Sequence, residues 1–223
     1  MRQGVPPMTI AAFFDMDRTL LRVDTGTSWS RFLYRRGELP KAMIAKVVYW
    51  SALYKLAVLD MEAVFEKLAR DLRGDSEDEM IAKCEEWYRR DIAHEVAPAA
   101  CVAIDAHRRA GHAVVLATGS TVYAARPVAR GVGIEHVLAS ELEVERGAFT
   151  GRASALCFGR HKVALAERWA DDHGIDLASS YFYSDSYNDL PMLSRVGRAI
   201  AVNPDARLAR HARRQRWPIR HWA

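Results

Sequence analysis

Two aspartates follow the first apolar run of the sequence, with a single residue between them. The stretch 13–20 reads FFDMDRTL and carries them as Asp15 and Asp17. In an extended chain, residues i and i+2 point to the same side, so the two carboxyl groups would share one site. Two acids that close are not easily both charged without a cation. The pair therefore predicts a bound metal ion or a carboxyl group that keeps its proton. Phosphoryl transfer uses both, because one carboxylate attacks phosphorus and the other acid protonates the departing oxygen.

Two further stretches carry groups that suit a phosphoryl group. Thr118 and Gly119 follow the apolar run 113–117 and precede a predicted helix, where exposed N–H groups bind phosphate oxygens and glycine allows close approach. Lys162 lies near the start of a later predicted helix, where its ammonium group could neutralise phosphate charge. Arg160 is the alternative for that role. Each signal alone is also compatible with an ordinary turn or a surface cation.

A fourth stretch ends another apolar run in acids. It reads YFYSDSYNDLP at 181–191, with Asp185 after the run and Asp189 four residues later. Mg²⁺ prefers oxygen ligands, commonly one or two carboxylates together with phosphate and water. Asp185 is therefore a candidate metal ligand, and Asp189 is a candidate for orienting a metal-bound water or Lys162. Three of the four stretches end an apolar run, which is where open parallel sheets place their ligands.

The elements that would position these groups alternate along the chain. Short apolar runs typical of buried strands lie at 10–14, 113–117, 137–139, 181–183 and 199–202. Helical patterns lie between them, at 99–110, 122–130 and 162–173. This alternation predicts an α/β fold built on a parallel sheet.

A long helical stretch between the first two strands breaks the alternation. Residues 25–95 read as helix, with stops at 37–40 and 74–76. This stretch is too long for one crossover, so it predicts a helical lid with hinges near Val23–Asp24 and Val96–Pro98.

The chain therefore divides into two predicted domains. We expect a catalytic core formed by 1–23 and 97–223 and a helical cap domain at 24–96. A hairpin or irregular flap is expected at 141–157.

The apolar segment 42–59 allows more than one interpretation. Lys46 and Lys55 lie within it and argue against a membrane span. A buried lid helix or a subunit contact is favoured. Docking to a membrane surface, or a groove for an apolar substrate, is left open.

The net charge of +4 is concentrated near the end of the chain. From residue 205 onward there are six arginines and one acid. No aromatic platform alternates with these charges, so a solvated terminal helix is favoured over a site for nucleic acid or anionic lipid. Three widely spaced cysteines and an N-terminus without an apolar leader predict reduced thiols and a cytoplasmic location.

The four stretches together resemble the haloacid dehalogenase superfamily, in particular its branch of phosphoserine phosphatases. DMDRT matches the DxDxT first motif, Thr118 the second, Lys162 the third, and the stretch 185–193 the fourth in its long form. The resemblance implies a Rossmann-like core with a helical cap inserted after the first strand.

The resemblance also implies roles for the site residues. Asp15 would be the nucleophile, and Asp17 the general acid and then the general base. Mg²⁺ would be bound by Asp15, by the main-chain carbonyl of Asp17 and by Asp185. Thr118, Gly119 and Lys162 would hold the phosphoryl group. Asn188 and Asp189 would support the site.

The substrate is less well defined by the resemblance. Asp24 stands where the branch has a glutamate that grips the substrate amine, and Arg18 replaces a small residue. Arg70 and Arg73 are candidates for the lid arginine of the branch. A small amino-bearing phosphate ester, such as phosphoserine or histidinol phosphate, is therefore expected. A lysophospholipid phosphatase working at a membrane surface and a phosphotransferase are the alternatives, and the oligomeric state is left open.

Overall fold

The computed structural model describes residues 9–40 and 61–222. In this part of the chain a seven-stranded sheet forms the centre of an α/β fold, which confirms the predicted fold class. The strands are β1 (Ala11–Phe14), β2 (Ala113–Thr121), β3 (His136–Glu145), β4 (Ala148–Ala155), β5 (Tyr181–Ser184), β6 (Arg198–Val202) and β7 (Ile219–Arg220). The apolar segment 42–59 and the first eight residues lie outside the described part.

The strand β1 lies in the middle of the sheet. The strand order is β4-β3-β2-β1-β5-β6-β7, and every neighbouring pair is parallel except β3 and β4. Side chains of β1 alternate between two apolar clusters, with Ala12 and Phe14 in one and Ala11 and Phe13 in the other. A strand covered on both faces must be apolar throughout, which explains the continuous run of apolar residues.

Helices pack on both sides of this sheet. Those in the described residues are α1 (Thr25–Arg35), α2 (Met61–Asp71), α3 (Glu77–Trp87), α4 (Pro98–Arg109), α5 (Val122–Gly131), α6 (Gly159–His173), α7 (Leu190–Arg195) and α8 (Ala206–Gln215). Local signals set several of their ends. Ser76 caps α3 by accepting a hydrogen bond from Glu79 N, and Gly174, with φ of 63°, ends α6 in the left-handed conformation.

The two chain segments that join α1–α3 to the sheet run side by side. Leu21 and Val96 form an antiparallel bridge, and Arg22 N donates a hydrogen bond to Glu95 O at 2.9 Å. These bonds lie next to the two positions where the sequence predicts hinges. We keep the division into a core and a cap as a proposal that this pairing of linkers supports.

The hairpin expected at 141–157 is formed by β3 and β4, which pair antiparallel. β3 begins earlier than the predicted flap, because it continues directly from the strand predicted at 137–139. The tip of the hairpin bonds to the turn between α2 and α3. Gly74 N donates to Phe149 O at 2.9 Å, and Phe149 N donates to Asp75 O at 3.0 Å.

The basic C-terminal segment forms the expected helix, α8, but this helix is not wholly solvated. Leu208 and Ala212 on one face are fully buried. Asp205 caps its start through hydrogen bonds from Arg207 N and Leu208 N, both 2.8 Å long. β7 follows as a strand that the sequence did not predict. No helix in residues 9–40 or 61–222 has the length and apolar composition needed to cross a membrane.

Candidate active site

The predicted site residues lie at the carboxyl-terminal end of three neighbouring parallel strands, β2, β1 and β5. Phe14 ends β1 and pairs with Tyr183 of β5. Asp15 comes next, and its backbone N–H donates to Tyr183 O at 2.9 Å. Thr118 and Asp185 each lie two residues beyond the last positions that β2 and β5 pair with β1. The parallel register therefore brings the backbones of these three polar residues to the same end of the sheet.

Lys162 is a buried cation at this end of the sheet. It lies in the first turn of α6, and its side chain is 2% exposed. Its Nζ lies 3.0 Å from Asp15 Oδ1 and 2.7 Å from Asp189 Oδ1. Ser184 Oγ donates to the other oxygen of Asp189 at 2.7 Å, and the ring of Phe182 lies 5.3 Å from Nζ. Two carboxylates thus share one ammonium group, which supplies the pairing that buried charges require.

The positive charge near the carboxyl group of Asp15 does not compensate for its burial. Burial raises its pKa to about 6, the charge of Lys162 lowers it, and the charge of Asp189 raises it again. Because Lys162 serves both acids, it does not offset the desolvation of Asp15. A further cation at this position would favour the ionised form, which is the form able to attack phosphorus.

Asp17 is held by the start of α1. It lies in the non-helical part of the turn Met16–Leu20. Thr25 N donates to Asp17 Oδ1 at 2.5 Å, and Thr25 Oγ1 donates to Asp17 Oδ2 at 3.1 Å. Burial raises the pKa of Asp17 to about 7, with further increases from the charges of Asp24 and Asp15, against the hydrogen bonds from Thr25. A carboxyl group with such a pKa carries a proton in a useful fraction of molecules near neutral pH, as a general acid must.

The last residues of β2, from Thr118 onward, are held by hydroxyl groups. Ser120 N donates to Thr118 Oγ1 at 3.2 Å, and Ser140 Oγ donates to Gly119 O at 3.0 Å. A side chain at Gly119 would meet its nearest atoms, in Cys157 and Phe158, at 3.6 Å, which is an ordinary contact. Packing therefore does not require glycine here, so a requirement would come from a ligand that approaches the backbone.

The oxygen ligands at this end of the sheet fit a hard divalent cation. Asp15 and Asp185 are both 8% exposed and follow neighbouring strands. Lys162 is paired with Asp15 and Asp189. Within the described residues, no three His, Cys, Asp or Glu side chains are grouped to hold a metal. A metal here would therefore take two carboxylates and complete its shell with a backbone carbonyl, phosphate and water, as Mg²⁺ does.

One buried hydroxyl group in the turn Met16–Leu20 supports the fit of a metal ion at this site. Thr19 Oγ1 is the buried side-chain oxygen without a hydrogen-bond partner in the described part of the chain. Buried polar atoms of this kind are commonly satisfied by an ion or an ordered water.

The two residues suggested for substrate specificity line a separate pocket of about 380 Å³. Asp24 caps α1 by accepting a hydrogen bond from Thr27 N at 2.8 Å. Arg18 is exposed, has a φ of 55°, and accepts a hydrogen bond on its carbonyl from Asn203 Nδ2 at 3.1 Å. Among the described residues, the lining of this pocket does not include Asp17.

A larger cavity, of about 460 Å³, reaches the hydroxyl groups beside Asp17. Thr25, Gly119 and Ser120 form one part of its lining, and α1, α2 and α3 supply most of the rest. Thr25 Oγ1 lies 3.0 Å from Ser120 Oγ and also bonds to Asp17, so it joins the cavity to the candidate acid. Of the residues that the structure describes around this cavity, none is Arg70 or Arg73.

Thr25 is the site residue that sequence reasoning missed. Its contact with Asp17 depends on how the turn Met16–Leu20 folds back onto α1, including the positive φ of Arg18. No spacing rule covers that turn. The available signal was that Thr25 directly follows Asp24 at a helix start, where backbone N–H groups lack partners within the helix.

Comparison with known proteins gives consistent matches over nearly the whole chain. A family model described as haloacid dehalogenase-like hydrolase matches residues 12–194. A protein of Mycobacterium tuberculosis strain H37Rv named phosphoserine phosphatase is 34% identical over 224 residues, covering 98% of this chain and 73% of that protein. A histidinol-phosphatase of Neisseria meningitidis is 28% identical over 214 residues, covering 93% of this chain and 96% of that protein. The crystal structure of a protein of unknown function from Bordetella pertussis Tohama I superposes with a TM-score of 0.84 at 32% identity, covering 95% of this chain and 98% of that one.

Proposed function

Because this chain belongs to the haloacid dehalogenase-like hydrolases and is a phosphatase, we propose that it hydrolyses small phosphate monoesters through an aspartyl phosphate on Asp15, with Mg²⁺ as cofactor. The observation that carries the proposal is the difference in surroundings between the two acids. Asp15 contacts the buried ammonium group of Lys162 at 3.0 Å, whereas Asp17 contacts no cation among the described residues and has its pKa raised towards neutrality. One is suited to attack and the other to proton donation.

The first half of the reaction forms the intermediate. A carboxylate oxygen of Asp15 attacks phosphorus, and the bond from phosphorus to the ester oxygen breaks. The departing alkoxide takes the proton of Asp17, so the alcohol leaves neutral. Thr25 keeps Asp17 in place through its N–H and its hydroxyl group, which lowers the cost of orienting the acid during the reaction.

The second half returns the enzyme to its starting state. Asp17, now ionised, accepts a proton from water while the water oxygen attacks phosphorus. The bond between phosphorus and Asp15 then breaks, which releases inorganic phosphate. The water proton leaves Asp17 protonated again, so each turnover consumes one ester and one water and yields one alcohol and one phosphate.

Other residues stabilise charge on the phosphoryl group. We propose that Lys162, Thr118 and the backbone at Gly119 donate to its oxygens. Asp189 positions Lys162, and Asn188 supports the same turn. The Asp15 and Asp185 carboxylates and the Asp17 main-chain carbonyl would hold Mg²⁺, which would supply positive charge to the site and favour the ionised form of Asp15.

The relatives suggest candidate substrates without deciding among them. Phosphoserine and histidinol phosphate are the named substrates of two relatives, and both are amino-bearing esters. A phosphotransferase, the other candidate function, would pass the phosphoryl group to an acceptor other than water. Phosphate release from a purified ester in buffer without any acceptor would exclude transfer as an obligatory step.

Removal of the metal is expected to silence the enzyme. Phosphate release should fall to background in excess chelator and return when Mg²⁺ is restored. Mg²⁺ should also raise the melting temperature, because a ligand that binds only the folded state adds about 2.7 kcal/mol to the free energy of unfolding at a hundred times its dissociation constant. Asp185→Asn should lose this increase, whereas Asp105→Asn, at an exposed position on α4, should keep it. Full activity in chelator would contradict the metal assignment.

Replacement of Asp24 by asparagine is expected to shift the pH profile. The charge of Asp24 raises the pKa of Asp17, so its removal lowers that pKa. Since Asp17 acts in its protonated form, the alkaline limb of kcat/KM should move to lower pH, by roughly one unit for a single nearby charge.

A matched control separates this charge effect from helix capping. Asparagine caps helices about as well as aspartate, so α1 should be retained. Asp176→Asn removes another capping aspartate, one that accepts a hydrogen bond from Ala178 N far along the chain. Its profile should stay unchanged. A limb that stays in place in Asp24→Asn, or moves to higher pH, would count against Asp17 as the acid.

A further inference from the structure

The cavity that reaches the hydroxyl groups beside Asp17 has walls that are mostly apolar. Thr25 and Ser120 provide hydroxyl groups at one part of it. Beyond them the lining is dominated by large apolar and aromatic side chains of α1, α2, α3, α5 and β3. They include Trp29, Leu33, Phe65, Trp87, Tyr123 and Leu142. At about 460 Å³ the cavity falls in the size range of small-molecule sites, roughly 300–1,000 Å³.

The charged side chains in the described lining of the cavity do not favour binding of an anion. They are Glu38, Asp75 and Lys83. Lys83 Nζ is already 2.8 Å from Glu38 Oε2. Asp75 is exposed and adds a second negative charge. A substrate carboxylate in this cavity would therefore lose water without gaining a free cationic partner among the described residues, which is costly.

The mechanism decides which part of the substrate meets these walls. The ester oxygen must lie against Asp17 to receive its proton, and the phosphoryl group must lie against Asp15 and Lys162. The alcohol part then continues from Asp17 in the direction away from phosphorus. Thr25, which bonds to Asp17 and lines the cavity, marks where that part enters.

We propose that the substrates of this site are phosphate monoesters of alcohols with a largely apolar, uncharged body, which occupies the cavity lined by Trp29, Leu33, Phe65 and Trp87. This inference rests on the proposed function, because it uses Asp17 as the group that meets the ester oxygen. It separates this chain from an enzyme for phosphoserine, whose alcohol part carries a carboxylate and an ammonium group on a short chain.

A homologous series of esters tests the proposal directly. Ethyl, butyl and hexyl phosphate have the same kind of primary alkoxide leaving group, so differences in kcat/KM report on contacts with the alcohol part. Each added methylene should raise kcat/KM by about three- to fourfold until the chain outgrows the cavity, which is the factor for burying one methylene. O-phosphoserine should fall at least about tenfold below hexyl phosphate, since its charged groups would be desolvated. A flat series, or phosphoserine as the best substrate, would overturn the proposal.

Neighbouring positions on α1 provide a matched pair of variants. Leu33 lines the cavity, whereas Tyr34 is 44% exposed and does not line it within the described part. Leu33→Asp should flatten the chain-length series, and Tyr34→Asp should leave the slope unchanged. Equal slopes in the two variants would contradict the assignment of this cavity. If Leu33→Asp fails to fold, Leu33→Ala should still reduce the gain from butyl to hexyl phosphate.

Binding without turnover keeps this inference separate from the proposed function. Ethyl-, butyl- and hexylphosphonate cannot be hydrolysed in this way, and calorimetric titration gives their dissociation constants for the protein with Mg²⁺. Affinity should increase with chain length by about three- to fourfold per methylene. If no ester releases phosphate, the proposed function fails while the titration still decides the cavity. If esters are hydrolysed but affinity and kcat/KM do not depend on chain length, the inference fails alone.

Discussion

Replacement of Asp15 by asparagine is expected to abolish phosphate release while leaving the protein folded. The amide keeps the size of the side chain but is a poor nucleophile, so no covalent intermediate forms. We expect kcat to fall by at least about four orders of magnitude, as for removal of a nucleophile in other enzymes that use covalent intermediates. Steady-state phosphate release measures the loss. When the reaction with an ester labelled in its phosphoryl group is quenched with acid, the unmodified enzyme should carry the label. The variant should carry none.

The stability of Asp15→Asn distinguishes loss of chemistry from loss of structure. Burial raises the pKa of Asp15 from its ordinary value of 3.8 to about 6, so the folded protein binds this proton more tightly than the unfolded chain. The group therefore opposes folding increasingly as pH rises from about 4 to about 6, and fully above that. Asparagine removes this penalty, and Lys162 keeps Asp189 as a partner. Without metal, the melting temperature at neutral pH should be equal to or above that of the unmodified protein.

Two outcomes would contradict the role of Asp15. One is a variant that still turns over substrate at a rate within a few decades of the unmodified enzyme. The other is trapped label on the variant at the normal level, which would place the intermediate on another residue. Asp105→Asn is the matched control, since Asp105 is exposed and pairs only with Arg108 on its own helix among the contacts described. It should keep full activity.

Strand ends could be predicted from the sequence because burial on both faces leaves a simple pattern. The runs that became β1 and β5 are apolar and short, and an acid directly follows each strand. β3 was predicted too short. It continues to Glu145, with the exposed Glu141 and Glu145 on its outer part, and such polar positions do not stand out from a loop. β7 has only two residues, which is below the length at which periodicity can be recognised.

The choice between neighbouring cations shows where sequence reasoning ends. Arg160 and Lys162 are two residues apart at the start of α6, so they point in different directions on the helix. The structure buries Lys162 against Asp15 and leaves the side chain of Arg160 83% exposed. That outcome depends on the rotation of the helix relative to the sheet, which is set by tertiary packing. The wall of the cavity could not be predicted for the same reason, because it combines side chains from α1, α2, α3, α5 and β3.

Asp17→Asn is expected to reduce kcat/KM for unactivated esters by roughly two to four orders of magnitude, the usual contribution of general acid–base catalysis. The local structure should survive. The amide oxygen can still accept the hydrogen bond from Thr25 N, which now spans 2.5 Å, and the amide N–H can donate to Thr25 Oγ1. A rate within about threefold of the unmodified enzyme would rule out the role, since a general acid contributes far more than that.

The dependence of this loss on the leaving group identifies its cause. Para-nitrophenolate departs as a stable anion and needs little help from a proton donor, so kcat/KM for para-nitrophenyl phosphate should fall by less than about tenfold in Asp17→Asn. The second half-reaction still lacks its base, so the variant should release a burst of nitrophenol and then slow as the aspartyl phosphate accumulates. A purely structural disturbance at Asp17 would instead reduce the rates for alkyl and nitrophenyl esters by the same factor and give no burst. Proton donation from Asp17, as proposed, would make these two results differ, because it ties the size of the loss to the basicity of the departing oxygen.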